Sequence, residues 1–100
     1  MAKGYWVAHV DVKNEPGFKP YADANAAIFK KFGGRYVVRG GKYEGMEGQA
    51  RGRNVVIEFV DYATALACYR SPEYQAAKKL REGKAEADVI VTEGYDGARF

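Results

Sequence analysis

The alternation of apolar and polar residues at the start of the chain predicts a β-strand. From Lys3 to Val12 the sequence KGYWVAHVDV is rich in aromatic and β-branched residues, a composition typical of strands. The segment NEPG, residues 14–17, then interrupts the pattern, because proline and glycine break regular structure. We therefore expect the first element to be a strand that ends near Val12.

The next segment has the spacing of an amphipathic helix. Positions three and four apart share one helix face, and here they are, in order, Phe18, Tyr21, Ala22, Asn25, Ile28, Phe29 and Phe32. All but Asn25 are apolar, so the spacing predicts a helix with one buried face. Pro16 or Pro20 fits its first turn, and the glycine pair at positions 33–34 ends it.

The rest of the chain predicts three more strands and a second, interrupted helical region. In chain order we expect a strand Arg35–Arg39, a glycine-rich loop Gly40–Gly52, a strand Arg53–Val60, a helix from its cap Asp61 to about Tyr69, a helix from its cap Ser71 to about Gly83, a strand Ala87–Tyr95 and a loose tail Asp96–Phe100. The order β-α-β-β-α-β is that of the ferredoxin-like α+β fold, in which two helices cover one face of a four-stranded antiparallel sheet. We expect one such domain over residues 1–100.

The uncovered face of this sheet predicts a homodimer. Two helices cover only one face, and the other should be polar if it meets water. In the strand Arg53–Val60, however, successive residues point to opposite faces and are apolar on both, with Glu58 as an interruption. A large apolar face in water is unusual for a soluble monomer, so we expect two copies joined through the sheet face. The alternative is a monomer with β-rich residues partly exposed.

Composition narrows the possible classes of protein. The net charge of +3 is too small to indicate a nucleic-acid partner by itself. Cys68 is the one cysteine, which excludes an intrachain disulfide and a cysteine-rich zinc site. No apolar segment has the length of a membrane span. We therefore expect a cytoplasmic protein that binds no membrane.

Nucleic acid needs its own test, because RNA recognition motifs share this element order. Their third strand carries aromatic residues that stack on bases. Here the corresponding segment RGRNVVIE, residues 51–58, lacks those aromatics. A basic cluster with interleaved glutamates, typical of a solvated helix face, comprises Lys78, Lys79, Arg81 and Lys84. We expect no nucleic-acid partner.

Motifs for metals and phosphate-bearing cofactors are missing from the sequence. His9 is the only histidine, and the carboxylates lack the spacing of a calcium loop. Gly40 and Gly41 precede a strand rather than a helix, so no helix N-terminus follows them to bind a phosphate. We expect no metal and no cofactor, and these glycines favour a turn with positive φ.

Five blocks of sequence resemble one bacterial family of unknown function, domain-of-unknown-function family thirteen-thirty. They are GYWVAHVDV, GGRYVVRGG, RNVVIEF, CYRSPEYQAA and VTEGYDG, in that order over nearly the whole chain. The family is placed in the dimeric α+β barrel superfamily, so the resemblance implies two ferredoxin-like subunits joined sheet to sheet with helices outside. Related families bind small organic molecules between helices and sheet, and include cofactor-free monooxygenases, isomerases and haem-binding proteins. The resemblance supplies no catalytic residue.

His9 and Glu58 are the candidate catalytic residues. His9 lies midway along a strand that should be central and is a candidate general base. Glu58 lies in an apolar strand, where a carboxylate must be paired, protonated or directed at a pocket. The alternatives are a packed, hydrogen-bonded histidine and a structural ion pair of the glutamate.

Four further side chains are candidates for binding a ligand. The planar fork of Arg39 suits a carboxylate, either of a ligand or of Glu58, unless it is solvated beside the loop. Tyr69 and Tyr74 flank the helix restart, where tyrosines line a pocket mouth or simply pack. Asn25 is either a buried polar contact or lies at the edge of its stripe.

The sequence leaves two functions open. One is a cofactor-independent enzyme of the isomerase or monooxygenase type, acting on a small organic acid or carbonyl compound, with His9 or Glu58 as base and Arg39 on an anionic group. The other is a non-catalytic ligand-binding or stress-related module that uses the same cleft. In both, a small molecule binds between helices and sheet.

Overall fold

The computed structural model describes residues 2–98, which form a sheet with helices on one face. The elements are the strand β1 Gly4–Val12, the helix α1 Glu15–Lys31, the strands β2 Arg35–Arg39 and β3 Arg53–Phe59, the helices α2 Tyr62–Arg70 and α3 Pro72–Lys78, a 3-10 turn Lys79–Arg81 and the strand β4 Ala85–Glu93. The sheet order is β2-β3-β1-β4, and every neighbouring pair is antiparallel. This confirms the predicted ferredoxin-like α+β fold.

The first helix begins inside the NEPG segment, in agreement with the prediction that Pro16 fits its first turn. The side chain of Asn14 accepts a hydrogen bond from the backbone N–H of Gly17, at 2.9 Å, and so caps the helix. Pro16 lies in the first turn, while Pro20 lies inside the helix. The segment that ends β1 is therefore also the start of α1. The helix ends as expected, with Gly33 at a φ of 74°.

The second helical region restarts at the predicted serine. Asp61 caps α2 by accepting from the N–H of Thr64 at 2.8 Å. Ser71 caps α3 by accepting from the N–H of Tyr74 at 3.1 Å, and its hydroxyl donates to the carbonyl of Cys68 at 2.7 Å. One buried serine thus ends one helix and begins the next. The helix α3 ends at Lys78, before the predicted Gly83, and the chain continues as the 3-10 turn.

The last strand starts and ends two residues before its predicted position. Its first residue, Ala85, pairs with Val12, so the strand extends as far as β1 provides partners. At the other end, the N–H of Gly94 donates to the carbonyl of Lys3 at 2.8 Å. Residues 96–98 of the predicted tail have no regular structure, and residues 99–100 lie outside the described part.

The core lies between the sheet and the helices and centres on Trp6. Its side chain is 2% exposed, and its indole N–H donates to the carbonyl of Ala65 at 2.9 Å. Phe29 and Tyr74 both meet it edge to face, with ring centroids 4.9 Å away. Such contacts stabilise beyond the area they bury, so one face of the sheet is fixed to the helices. We call it the covered face, and the opposite one the open face.

In the described part of the chain, no helix combines the length and the apolar character that crossing a membrane requires.

Candidate functional site

A β-bulge in β2 decides which arginine faces the helices. Arg35 pairs with Glu58 and Tyr36 with Ile57, but the next pair is Val38 with Val56. Val37 is the extra residue, and an extra residue shifts the alternation of all that follow. Arg35 therefore lies on the open face, whereas Arg39 pairs beside Val55 on the covered face. The hypothesis that Arg39 binds Glu58 is wrong, because the two lie on opposite faces.

A cavity of about 50 Å³ lies between α1 and the covered face. Its walls are mainly apolar and aromatic, and include Phe18, Tyr21, Phe29, Tyr36, Val55 and Val89. Asn25 lines it from the middle of α1, and three arginines line it from β2, β3 and the 3-10 turn. An apolar wall with few polar groups is typical of small-molecule sites, whereas the volume is well below the roughly 300–1,000 Å³ that such sites usually have.

We refer to Arg39, Arg53 and Arg81 as the cavity arginines. Within residues 2–98 none of them has a carboxylate within ion-pairing distance. The guanidinium carbon of Arg39 lies 4.2 Å from the ring centroid of Tyr36, and that of Arg81 lies 5.3 Å from the centroid of Tyr21. Aromatic faces thus position two of the cations, and nothing described neutralises any of the three.

Gly40 allows the chain to turn beside the second cavity arginine. Its φ is 66°, and a side chain there would place Cβ 2.9 Å from Nη1 of Arg53. The predicted positive φ is therefore confirmed at Gly40, and the small residue also leaves room for the guanidinium.

Two buried polar atoms of the cavity lining have no hydrogen-bond partner in the described part of the chain. They are Oδ1 of Asn25, whose residue is 7% exposed, and Nε of Arg81. One is an acceptor and the other a donor. Native proteins pair nearly all such groups with protein atoms or with ordered water, so both atoms are available to a molecule that enters the cavity.

The two candidate tyrosines belong to the core beside the cavity rather than to its lining. Tyr74 is fully buried, and its hydroxyl is hydrogen-bonded to that of Tyr21 at 2.8 Å. Burial, followed by the neighbouring Tyr21, raises the pKa of Tyr74, so this phenol stays protonated. Tyr69 packs on Trp6 and Tyr74, with ring centroids 5.4 and 5.0 Å away. Tyr21, which does line the cavity, links it to this cluster.

His9 and Glu58 lie on the open face, away from the cavity. Nδ1 of His9 donates to Oδ1 of Asn54 at 2.7 Å. The carboxylate of Glu58 accepts from the hydroxyl of Tyr5 at 2.9 Å and from Nε of Arg35 at 3.0 Å. These hydrogen bonds, first from Tyr5 and then from Arg35, lower the pKa of Glu58. The structure therefore does not bring the two candidate bases together with Arg39.

Groups that could accept a proton at neutral pH are missing from the cavity lining within the described residues. The lining contains no histidine, carboxylate or cysteine. Burial raises the pKa of the Tyr36 phenol, which the nearby Arg39 and Arg53 only partly offset. Cys68 is buried in α2, and burial raises the pKa of its thiol to about 12. The cavity thus offers hydrogen-bond donors and positive charge, which suits binding of an anion.

Two of the cavity arginines were not predicted as site residues. Arg53, Val55 and Ile57 follow one another at intervals of two residues, so the alternation of a strand places all three side chains on the same face. Arg81 was assigned to a solvated basic cluster, which is wrong because its Nε is buried in the cavity lining. A 3-10 turn has no pattern that would have indicated this.

No group of three or more histidine, cysteine or carboxylate side chains within residues 2–98 has a metal-binding arrangement.

Residues 3–95 match the model of a family described as "Domain of unknown function (DUF1330)". No curated protein matches the chain.

Solved structures share the fold at low sequence identity. A protein of unknown function from Rhodopseudomonas palustris, RPA0582, is 17% identical over 96% of this chain and 85% of that chain, with a TM-score of 0.72. SnoaB, a cofactor-independent oxygenase from Streptomyces nogalater, is 13% identical over 100% of this chain and 96% of that chain, with a TM-score of 0.63. A protein of unknown function from Bacteroides thetaiotaomicron, described as a possible oxidoreductase, is 13% identical over 92% of this chain and 97% of that chain, with a TM-score of 0.58. At such identity these similarities concern the fold alone.

Proposed function

The chain belongs to the DUF1330 family, a family of unknown function, and on that premise we propose that it binds a small organic anion in the cavity between α1 and the sheet. The observation that carries the proposal is the set of cavity arginines, which line one cavity and have no carboxylate partner within residues 2–98. Guanidinium groups bind carboxylates through paired hydrogen bonds. A ligand's carboxylate supplies the missing negative charge.

The rest of the lining supports an organic rather than an inorganic anion. Aromatic and aliphatic side chains make up most of the wall, and they gain free energy when they contact an apolar body instead of water. An inorganic ion would leave this surface without a partner. We therefore propose a ligand with one anionic end and an apolar part.

We further propose that two copies join through their open faces. Across all four strands, this face carries an apolar row in register, which we call the open-face stripe: Val38, Val56, Val7 and Ile90. Ile90 is 59% exposed and Val38 is 38% exposed. A second stripe laid on the first about a two-fold axis would remove both from water.

Binding without catalysis is the function that this geometry supports best. In the enzymatic alternative of the isomerase or monooxygenase type, His9 or Glu58 would serve as base. The sheet separates both side chains from the cavity, so a base acting there would have to come from the ligand itself. Their catalytic role stays a prediction.

The predicted cytoplasmic setting is retained as part of the proposal. Cys68 is the single cysteine of the chain and lies buried in the core. A chain with no possible intrachain disulfide suits a reducing compartment.

The proposal is tested with small carboxylates as probes. Benzoate, phenylacetate and acetate are titrated at neutral pH, and the melting temperature is followed, since a ligand that binds only the native state raises it. The aromatic probes should raise it more than acetate. We expect Arg39→Gln to weaken the binding of phenylacetate about tenfold or more, because it removes a charged hydrogen-bond donor.

Arg35→Gln is the matched control, since Arg35 lies on the same strand but on the open face. It should leave the affinity for phenylacetate unchanged. The proposal is wrong if none of the probes shifts the melting temperature, or if the two variants lose affinity equally.

A further inference from the structure

The two unpaired polar atoms of the cavity lining indicate the chemical class of the ligand more closely than the positive charge does. Oδ1 of Asn25 and Nε of Arg81 are buried, line the same cavity and lack hydrogen-bond partners within residues 2–98. Leaving a buried polar atom unpaired destabilises a protein. A ligand group that donates a hydrogen bond to Asn25 and accepts one from Arg81 would pair with both atoms.

Asn25 is costly at its position for a second reason. It lies in the buried stripe of α1 between Tyr21 and Phe29, where an apolar side chain would pack as its neighbours do. Asparagine is also a weaker helix former than leucine. Neither packing nor helix formation accounts for the amide, whereas a polar contact with a ligand does.

From these atoms we propose that the ligand is a hydroxylated organic anion, a hydroxy acid in the broad sense. Its hydroxyl donates to Oδ1 of Asn25 and accepts from Nε of Arg81, while its carboxylate binds the guanidinium of Arg39. This inference rests on the proposed function and names the class of molecule that the same cavity takes.

A hydroxyl fits the pair where other groups fail. It has one O–H donor and two acceptor lone pairs, so it can pair with both atoms. A carbonyl oxygen only accepts, and it would leave Asn25 unpaired. An ammonium group donates, but three uncompensated arginines would repel it. An acid without a hydroxyl can accept from Nε of Arg81 through its carboxylate, but it has no donor for Oδ1 of Asn25.

The test uses two pairs of probes whose members differ by one hydroxyl at the same charge. They are mandelate with phenylacetate, and 4-hydroxybenzoate with benzoate. Affinities for the full chain are measured by titration calorimetry at neutral pH. We expect the hydroxylated member of at least one pair to bind about tenfold more tightly, because it donates to the buried Oδ1 of Asn25, which its partner leaves unpaired.

Asn25→Leu separates this contact from a structural role of Asn25. We expect the variant to have an unliganded melting temperature at least equal to that of the wild type, because it removes an unpaired buried acceptor. The preference for the hydroxylated probe should fall to less than about twofold.

The outcomes distinguish this inference from the proposed function. Equal affinity within both pairs for the wild type, with binding still lost in Arg39→Gln, would overturn the hydroxyl contact and leave the anion site standing. If no probe binds at all, both are overturned. A preference for the hydroxylated probe that survives in Asn25→Leu would also contradict the inference. If that variant folds poorly, the comparison of the probes on the wild type is sufficient to test the hydroxyl contact.

Discussion

The two faces of the sheet differ in whether their charged side chains form ion pairs. On the open face, Glu58 accepts from Arg35, and Arg51 donates to Asp11 and Asp88 at 2.7 and 3.0 Å. On the covered face, the cavity arginines have no such partners within residues 2–98. On the open face, the charged side chains pair with one another, and the open-face stripe lies between them. On the covered face, the apolar side chains pack against the helices, and the arginine charges have no carboxylate partner within residues 2–98. The first arrangement suits a protein surface as partner, and the second a small anion.

The largest expected effect concerns packing on the covered face. Trp6→Ala should lower the free energy of unfolding by about 3–5 kcal/mol, as expected for a buried aromatic residue replaced by alanine. Val7→Ala changes the next residue, which points to the open face, and should cost at least about 2 kcal/mol less, given its smaller loss of contact. Urea denaturation followed by fluorescence or circular dichroism measures both. Equal losses would show that the open face contributes as much packing as the covered one.

The second effect concerns assembly through the open-face stripe. Val7 lies in the stripe between Val56 and Ile90, so Val7→Lys would place a charge in the centre of the proposed interface. We expect the wild type to sediment as a dimer at micromolar concentration and Val7→Lys as a monomer, because burying an unpaired charge is costly.

Leu80→Lys serves as the control for assembly. Leu80 is 46% exposed in the 3-10 turn on the helical side, so this variant should sediment as the wild type does. A wild type that is monomeric at micromolar concentration would refute the proposed dimer.

The smallest effect is the pH dependence that Glu58 confers. Its pKa is lowered from the ordinary value of 4.5, so its contribution to stability is present above that value and is lost as the pH falls through the lowered pKa. The melting temperatures of the wild type and Glu58→Gln should therefore differ at pH 7 and converge on acidification below about pH 4.5. The difference should also shrink in high salt, because Arg35 is 71% exposed.

Glu47→Gln is the matched control for this titration. Glu47 lies exposed in the loop between β2 and β3, and its replacement should change the melting temperature little at any pH. A difference between wild type and Glu58→Gln that grows on acidification would contradict the assigned sign.

Local signals in the sequence were sufficient for most of the fold. The caps Asp61 and Ser71 were predicted from residue type, and both accept the expected backbone hydrogen bonds. These signals succeed because they act within one turn of chain. The start of β4 was missed because Ala85 is in the strand through its pairing with Val12, which is a contact between distant parts of the sequence.

The site was harder to predict than the fold, because alternation gives relative faces only. It shows that Arg53 and Ile57 share a face, but not which face the helices cover. His9 and Glu58 were the natural candidates by chemistry, and both point away from the cavity. Asn25 is the exception, since a polar residue inside an apolar stripe was visible in the sequence and lies in the lining.

The extra residue Val37 lets five residues of β2 pair with four positions of β3. A regular strand of five residues would place Arg39 on the same face as Arg35, because the two are four positions apart. Deleting Val37 would remove the bulge and still leave Arg39 beside Val55, since the remaining residues already pair in regular order. The bulge therefore lets β2 present one arginine to each face of the sheet within a five-residue strand.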